Sequence, residues 1–175
     1  NVLPPGVERY IVNGGGLTGI QILPNDEIEI INNEGNQICE ISIFNKDGKS
    51  EPAILGLKEI KDNSEIKKIL FKKDETSFQA LLQLKKRKLN IEKSKSSLVF
   101  DKEAKAGESI KLKSKDKCYC IFAAPSNGML IHEQNPPTEL IVIVKRSIIK
   151  ADKEFSIIPD PVYDPSNEIN IKMNE

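Results

Sequence analysis

The run Leu140-Ile141-Val142-Ile143-Val144 constrains this chain more than any other feature. It is continuous, mostly β-branched and of strand length, which suits a strand buried on both faces at the centre of a sheet or sandwich. Shorter segments repeat the β signal. Ile20 to Leu23 and Glu27 to Ile31 alternate apolar and polar residues around Pro24-Asn25-Asp26, so the pair reads as a hairpin. After the loop Asn32-Asn33-Glu34-Gly35-Asn36, Gln37 to Phe44 alternates again, and Asn45-Lys46-Asp47-Gly48 closes it. Leu98 to Phe100, Ser109 to Leu112 and Cys118 to Ala123 read as further strands, with Ala106-Gly107-Glu108 as a turn.

The middle of the chain departs from this pattern. Pro52, Gly56 and scattered charges between Ser50 and Leu70 suggest a long excursion from the sheet. Thr76 to Leu84 is the helix candidate: Asp74 or Thr76 can cap it, and Phe78, Leu81, Leu82 and Leu89 fall at helical spacing. The expected architecture is mainly β, a sandwich or distorted, jelly-roll-like barrel with a helical insertion near Thr76 to Leu89. An α+β fold is the alternative if the excursion holds more helix.

A length of 175 residues fits one domain with an ordinary core. That domain is expected over residues 1–150. Pro159, Pro161 and Pro165 make 151–175 read as a stiff linker to a following domain. The chain starts at Asn1 and ends in a polar tail, and it reads as a piece of a longer protein.

Charge excludes some partners. Lys and Arg number 26 and Asp and Glu 26, so no net field steers the chain toward nucleic acid or an anionic membrane. The basic stretch Lys85-Lys86-Arg87-Lys88 with Lys93 and Lys95 lacks interleaved aromatics and reads as a solvated face, while the C-terminal tail is acidic. No apolar run has membrane-spanning length and no signal peptide is evident. Cys39, Cys118 and Cys120 are too few and odd in number for a disulfide framework, which points to the cytoplasm.

Few residues carry chemistry. His132, the single histidine, stands in the polar loop His132-Glu133-Gln134-Asn135-Pro136-Pro137 and could bind a metal with Glu133 or move a proton, although such a histidine more often bonds its own loop. Cys118 and Cys120 share one strand face. A zinc site would need Cys39 and His132 to join them, and buried apolar thiols are the simpler reading. Gly14-Gly15-Gly16 invites a phosphate loop, but no Lys-Ser or Lys-Thr pair or helix start follows, leaving a conformationally special loop between two strands. Gln37, Cys39 and Ile41 share one face of their strand, and Ile38 and Glu40 the other. Glu40 could be a ligand or base in a barrel mouth, but an exposed glutamate is the commoner case.

Glu34-Gly35-Asn36-Gln37, Cys39-Glu40 and Phe44, with Ala123-Ala124-Pro125 and Asn135-Pro136-Pro137-Thr138 before the last strand, resemble the signature blocks of the urea carboxylase-associated family, a set of β-rich domains. This chain has Ala124 and Ile131 where that family carries cysteines, and Glu40 where it carries Asp. His132-Glu133-Gln134 replaces its Cys-Asn-Gly segment. With Arg9 to Gly16, Leu55-Gly56 and Glu133-Gln134, the same blocks resemble the N-terminal region of large bacterial aminomethyltransferase-like proteins related to the glycine cleavage T-protein. That resemblance implies a parent enzyme of one-carbon transfer. Tetrahydrofolate would then be bound elsewhere in the parent and no cofactor in this domain, whose partners are the other domains of the polypeptide.

Three functions are expected, in this order. The first is a noncatalytic accessory domain of the parent polypeptide that binds a small ligand such as an amine or packs against the other domains, with Gln37, Glu40, His132, Gln134 and Asn135 as candidate contacts. The second is a metal-dependent hydrolase of guanidine- or urea-like amines using His132 with Glu133 or Glu40. The third is a structural interaction domain.

Overall fold

The computed structural model describes residues 3–59, 61–62, 64–101, 103–126, 136–147 and 156–157. Its strands are β1 (Val7–Val12), β2 (Leu17–Ile22), β3 (Glu27–Asn32), β4 (Cys39–Phe44), β5 (Lys61–Asp62), β6 (Lys95–Val99), β7 (Glu108–Lys113), β8 (Cys118–Ala123), β9 (Leu140–Lys145) and β10 (Ser156–Ile157). Helices α1 (Ser64–Leu70) and α2 (Glu75–Lys86) and a 3-10 turn at Pro52–Leu55 lie between β4 and β6. The strands form two antiparallel sheets, in the orders β1-β9-β3-β7 and β10-β2-β8-β4-β6-β5.

The two sheets pack face to face as a sandwich, and the mainly β expectation holds. Tyr10, Val12, Ile28, Ile30, Val142 and Val144 of the first sheet meet Ile20, Ile22, Ile41, Ile43 and Phe122 of the second. β9 is central, flanked by β1 and β3, in keeping with its unbroken apolar run. A second cluster covers the outer face of the other sheet, where Leu17, Phe44, Ile121 and Ala123 receive Ile66, Leu70, Ala80 and Leu84 from the helices. This third layer explains why β2 and β4 are buried at every position.

Two local expectations are corrected. The segments around Pro24-Asn25-Asp26 are not a hairpin: β2 pairs with β8 and β10, while β3 pairs with β7 and β9 in the opposite sheet. Asn25 takes φ +68° and the Asp26 amide bonds the Leu23 carbonyl, so the turn is real. It passes the chain across the core, letting Ile20, Ile22, Ile28 and Ile30 face one another rather than line one ladder. In α2 the Asp74 cap is as expected, its carboxylate accepting from the Ser77 amide at 2.7 Å. The buried stripe, however, is Ser77, Ala80 and Leu84, and Phe78 and Leu82 point outward. Small side chains let the helix lie close to the sheet, which the larger apolar residues would prevent.

Of the residues expected to form a linker, Ser156 and Ile157 pair with Ile20 and Gly19 at the edge of the second sheet. The rest of 151–175 lies outside the described residues.

Candidate functional site

Four loops meet at one end of the sandwich. Gln37 is buried at their centre, where its Nε2 donates to the Pro125 carbonyl at 2.9 Å and to the Ile38 carbonyl at 2.8 Å. Its Oε1 accepts from the Thr138 amide at 2.8 Å. Asn32 adds a bond from its Nδ2 to the Gln37 carbonyl at 2.7 Å, while its Oδ1 is buried without a partner. One side chain thus ties together the segments that follow β3, β8 and precede β9.

The glycine run closes the same end. A Cβ at Gly14 would stand 2.1 Å from the Pro137 carbonyl oxygen, so only glycine lets the two backbones approach this closely. The Gly15 amide donates to the Ala124 carbonyl at 2.7 Å, and the Ala124 amide returns a bond to Gly16 at 3.0 Å. The expectation of a special loop between two strands holds, since β1 and β2 flank it.

On its other side this loop opens into a cavity of ≈ 190 Å³ beneath the helical layer. Leu17, Leu70 and Ala80 give the cavity an apolar floor; Lys72, Asp74 and Thr76 supply its polar rim. Lys72 Nζ donates to the Gly15 carbonyl at 3.3 Å and so spans from the helical hairpin to the glycine loop. Asp74, bonded to the Ser77 amide and with Lys72 nearby, has its carboxyl held below the ordinary aspartate value. The cavity thus combines a rim of opposite charges with an apolar floor.

Glu40 is fully buried, contrary to the commoner reading of an exposed strand glutamate. It projects from β4 toward α1, where Oε2 accepts from the Ile66 amide at 2.9 Å and Oε1 from Ser96 Oγ at 2.8 Å. The carboxylate anchors the start of α1 to the sheet. Glu40 and Gln37 therefore serve different places: Glu40 sits under the helices, Gln37 among the end loops. His132, Glu133, Gln134 and Asn135 lie outside the described residues, and Pro125 and Thr138, bonded to Gln37, bracket that segment.

The cysteines are free and buried. Cys118 and Cys120 share the core face as expected, with Sγ atoms 3.6 Å apart. Burial raises the Cys39 thiol well above its ordinary value, with the Glu40 charge adding to the effect, and burial next to Cys118 does the same for Cys120. Among the described residues no group of three or more His, Cys, Asp or Glu side chains is gathered as metal ligands would be.

Sequence reasoning missed one polar cluster, at the opposite end of the core. The Arg146 guanidinium bonds Glu8 through Nε at 3.1 Å and Nη2 at 2.9 Å, and Asp26 and the Gln21 carbonyl through Nη1, both at 2.7 Å. Burial alone would weaken its hold on its proton, but the bonds and charge of Glu8, then Asp26, reverse this and raise its pKa. Tyr10, buried and donating to Glu8, is raised as well. The cluster pins the end of β9 to β1 and to the β2–β3 turn. The signal available in sequence was the pair Lys145-Arg146 following the apolar run Leu140 to Val144.

No protein-family model and no solved structure matches the chain. A trimethylamine-oxide aldolase of Ruegeria pomeroyi is 30% identical over 169 residues, which cover 97% of this chain and 21% of that protein. The chain thus spans about a fifth of the length of the curated relative it matches. The resemblance to the urea carboxylase-associated family and to aminomethyltransferase-like proteins is overturned by this result, and the one-carbon transferase parent built on it falls too: no family model matches, and the relative found is an aldolase. The motifs behind that resemblance have a structural cause. Gly14, Gly35 at φ +80°, Asn36 at φ +57° and Gln37 are fixed by backbone geometry and bracing at the loop end, a constraint that specifies no ligand. Among the described residues no helix is long and apolar enough to cross a membrane.

Proposed function

We propose that this β-sandwich is a small-ligand-binding domain of a protein acting on small amines, and that the cavity beside Gly14 to Gly16 is its binding site. The observation that carries the reading is the alignment of nearly the whole chain with one fifth of a trimethylamine-oxide aldolase. The chemistry of the cavity supports it. A methylated amine or amine oxide is a compact polar centre wrapped in methyl groups. Leu17, Leu70 and Ala80 offer those methyls an apolar floor. Lys72 is placed to meet an oxide oxygen, and Asp74 a cationic nitrogen. The cavity is smaller than those that take drug-sized ligands, which favours a compact one. Three free, buried cysteines suit a reducing compartment, and we place the domain in the cytoplasm.

Calorimetric titration of the chain with trimethylamine N-oxide, trimethylamine and urea tests the reading. Saturable binding of a methylated amine is expected, and Ala80→Met, which fills the cavity at some cost in stability because Ala80 packs closely on the sheet, should abolish it while circular dichroism shows the variant still folded. Absence of saturable binding to any of them, or binding that ignores Ala80→Met, would overturn the assignment.

A further inference from the structure

The outward face of the helical hairpin is apolar and has no cover among the described residues. Phe71, Phe78 and Leu82 are 47%, 60% and 46% exposed, and a shallow depression of ≈ 570 Å³ runs between Phe71 and Phe78. Large apolar side chains gathered on one face of a domain mark a contact surface. The depression itself is lined by Lys73 with Asp74 and Glu75, and the basic excess lies elsewhere on the hairpin: from Glu65 to Lys88 it carries eight lysines and arginines against three acidic residues, four of the eight at Lys85 to Lys88, a net charge of +5 in a chain whose total is zero.

The complement to this surface is in the same chain. Residues 158–175 carry Asp160, Asp164, Glu168 and Glu175 against Lys172 alone, a net charge of −3, together with Val162, Tyr163, Ile169 and Ile171. Their starting point is fixed, because Ile157 pairs with Gly19 on the edge strand of the sheet beneath the helices, and β10 lies beside α2. Eighteen residues leaving from that point, at up to about 3.3 Å each, reach well past the length of α2. We propose that this acidic C-terminal segment docks on the hairpin, its apolar side chains against Phe71, Phe78 and Leu82 and its carboxylates among the lysines of the hairpin. The contact covers the outer side of the helices that roof the cavity, and it stands independently of what the cavity binds.

The chain has no tryptophan, so Tyr163→Trp in the full chain places a single reporter in the segment. Its emission should be blue-shifted and shielded from acrylamide, at a level independent of protein concentration. Phe78→Asp or Leu82→Asp, both at exposed positions and both checked for an unchanged circular dichroism spectrum, should restore the emission and quenching of a free indole. High salt should weaken the shielding. In the unmodified chain, carbodiimide should join Asp160 or Asp164 to hairpin lysines at monomer mass. An indole whose emission is the same with and without the aspartate substitutions overturns the proposal. Shielding that grows with protein concentration, or cross-links found only in dimers, also overturns it and assigns the face to a second copy.

Discussion

At the scale of single residues, the side chains that singled themselves out in the sequence divide into braces and candidate contacts. Gln37 spends its amide on Pro125, Ile38 and Thr138. Gln37→Leu, which removes these bonds while keeping volume, should lower the unfolding free energy by about 1–3 kcal/mol, measured by denaturant titration. Gly14 admits no side chain, and Gly14→Ala should cost a similar ~1–3 kcal/mol as the Pro137 segment is pushed aside. Glu40 illustrates what a sequence leaves hidden. Alternation along β4 correctly separates it from Cys39 and Ile41, but its burial depends on α1 being laid over that face of the sheet. Glu40→Ala removes the acceptor of the Ile66 amide and should destabilise the protein by about 1–3 kcal/mol, with Glu40→Gln costing less because one acceptor oxygen remains.

At the scale of elements, strands were legible wherever the pattern was local. The run at Leu140 to Val144 needs no tertiary information to be read as an interior strand, and the sequence narrows the cap of α2 to Asp74 or Thr76, of which Asp74 is the one used. Two features were not legible because they depend on distant partners. Alternation gives the in-facing residues of β2 and β3 but not the sheet each one joins, so a chain crossing between sheets looked like a hairpin. The face of α2 was misread because hydrophobicity favours Phe78 and Leu82, whereas close packing on a sheet favours Ala80 and Ser77. Stability tests this directly: Leu84→Ala should cost about 2–5 kcal/mol, and Phe78→Ala less than about 1 kcal/mol. Asp74 adds a pH dependence. Its folded pKa is depressed, mainly by the Ser77 amide bond, so its contribution is complete above the ordinary aspartate value and is lost as the pH falls through the lower folded value. Helix content followed by circular dichroism should therefore fall on acidification, and Asp74→Ala should flatten that part of the curve.

At the scale of the whole molecule, the sandwich is closed at one end by the loops around Gln37 and at the other by Arg146 with Glu8 and Asp26. The Arg146 side chain is only 4% exposed and Asp26 not at all. Removing the arginine leaves a buried carboxylate without its cation, so Arg146→Met should destabilise the fold by about 3–5 kcal/mol in thermal or denaturant unfolding. These two closures hold the sheets together and leave the glycine loop and the helical hairpin to frame the cavity. The small methylated amine proposed to bind there can be followed by an amide nuclear magnetic resonance titration of the isotope-labelled chain with trimethylamine N-oxide. Saturable shifts at Gly15, Gly16, Lys72 and Ser77, with the amides around Arg146 unmoved, are the predicted result. Shifts that fail to saturate, or that appear only away from the glycine loop, would contradict it.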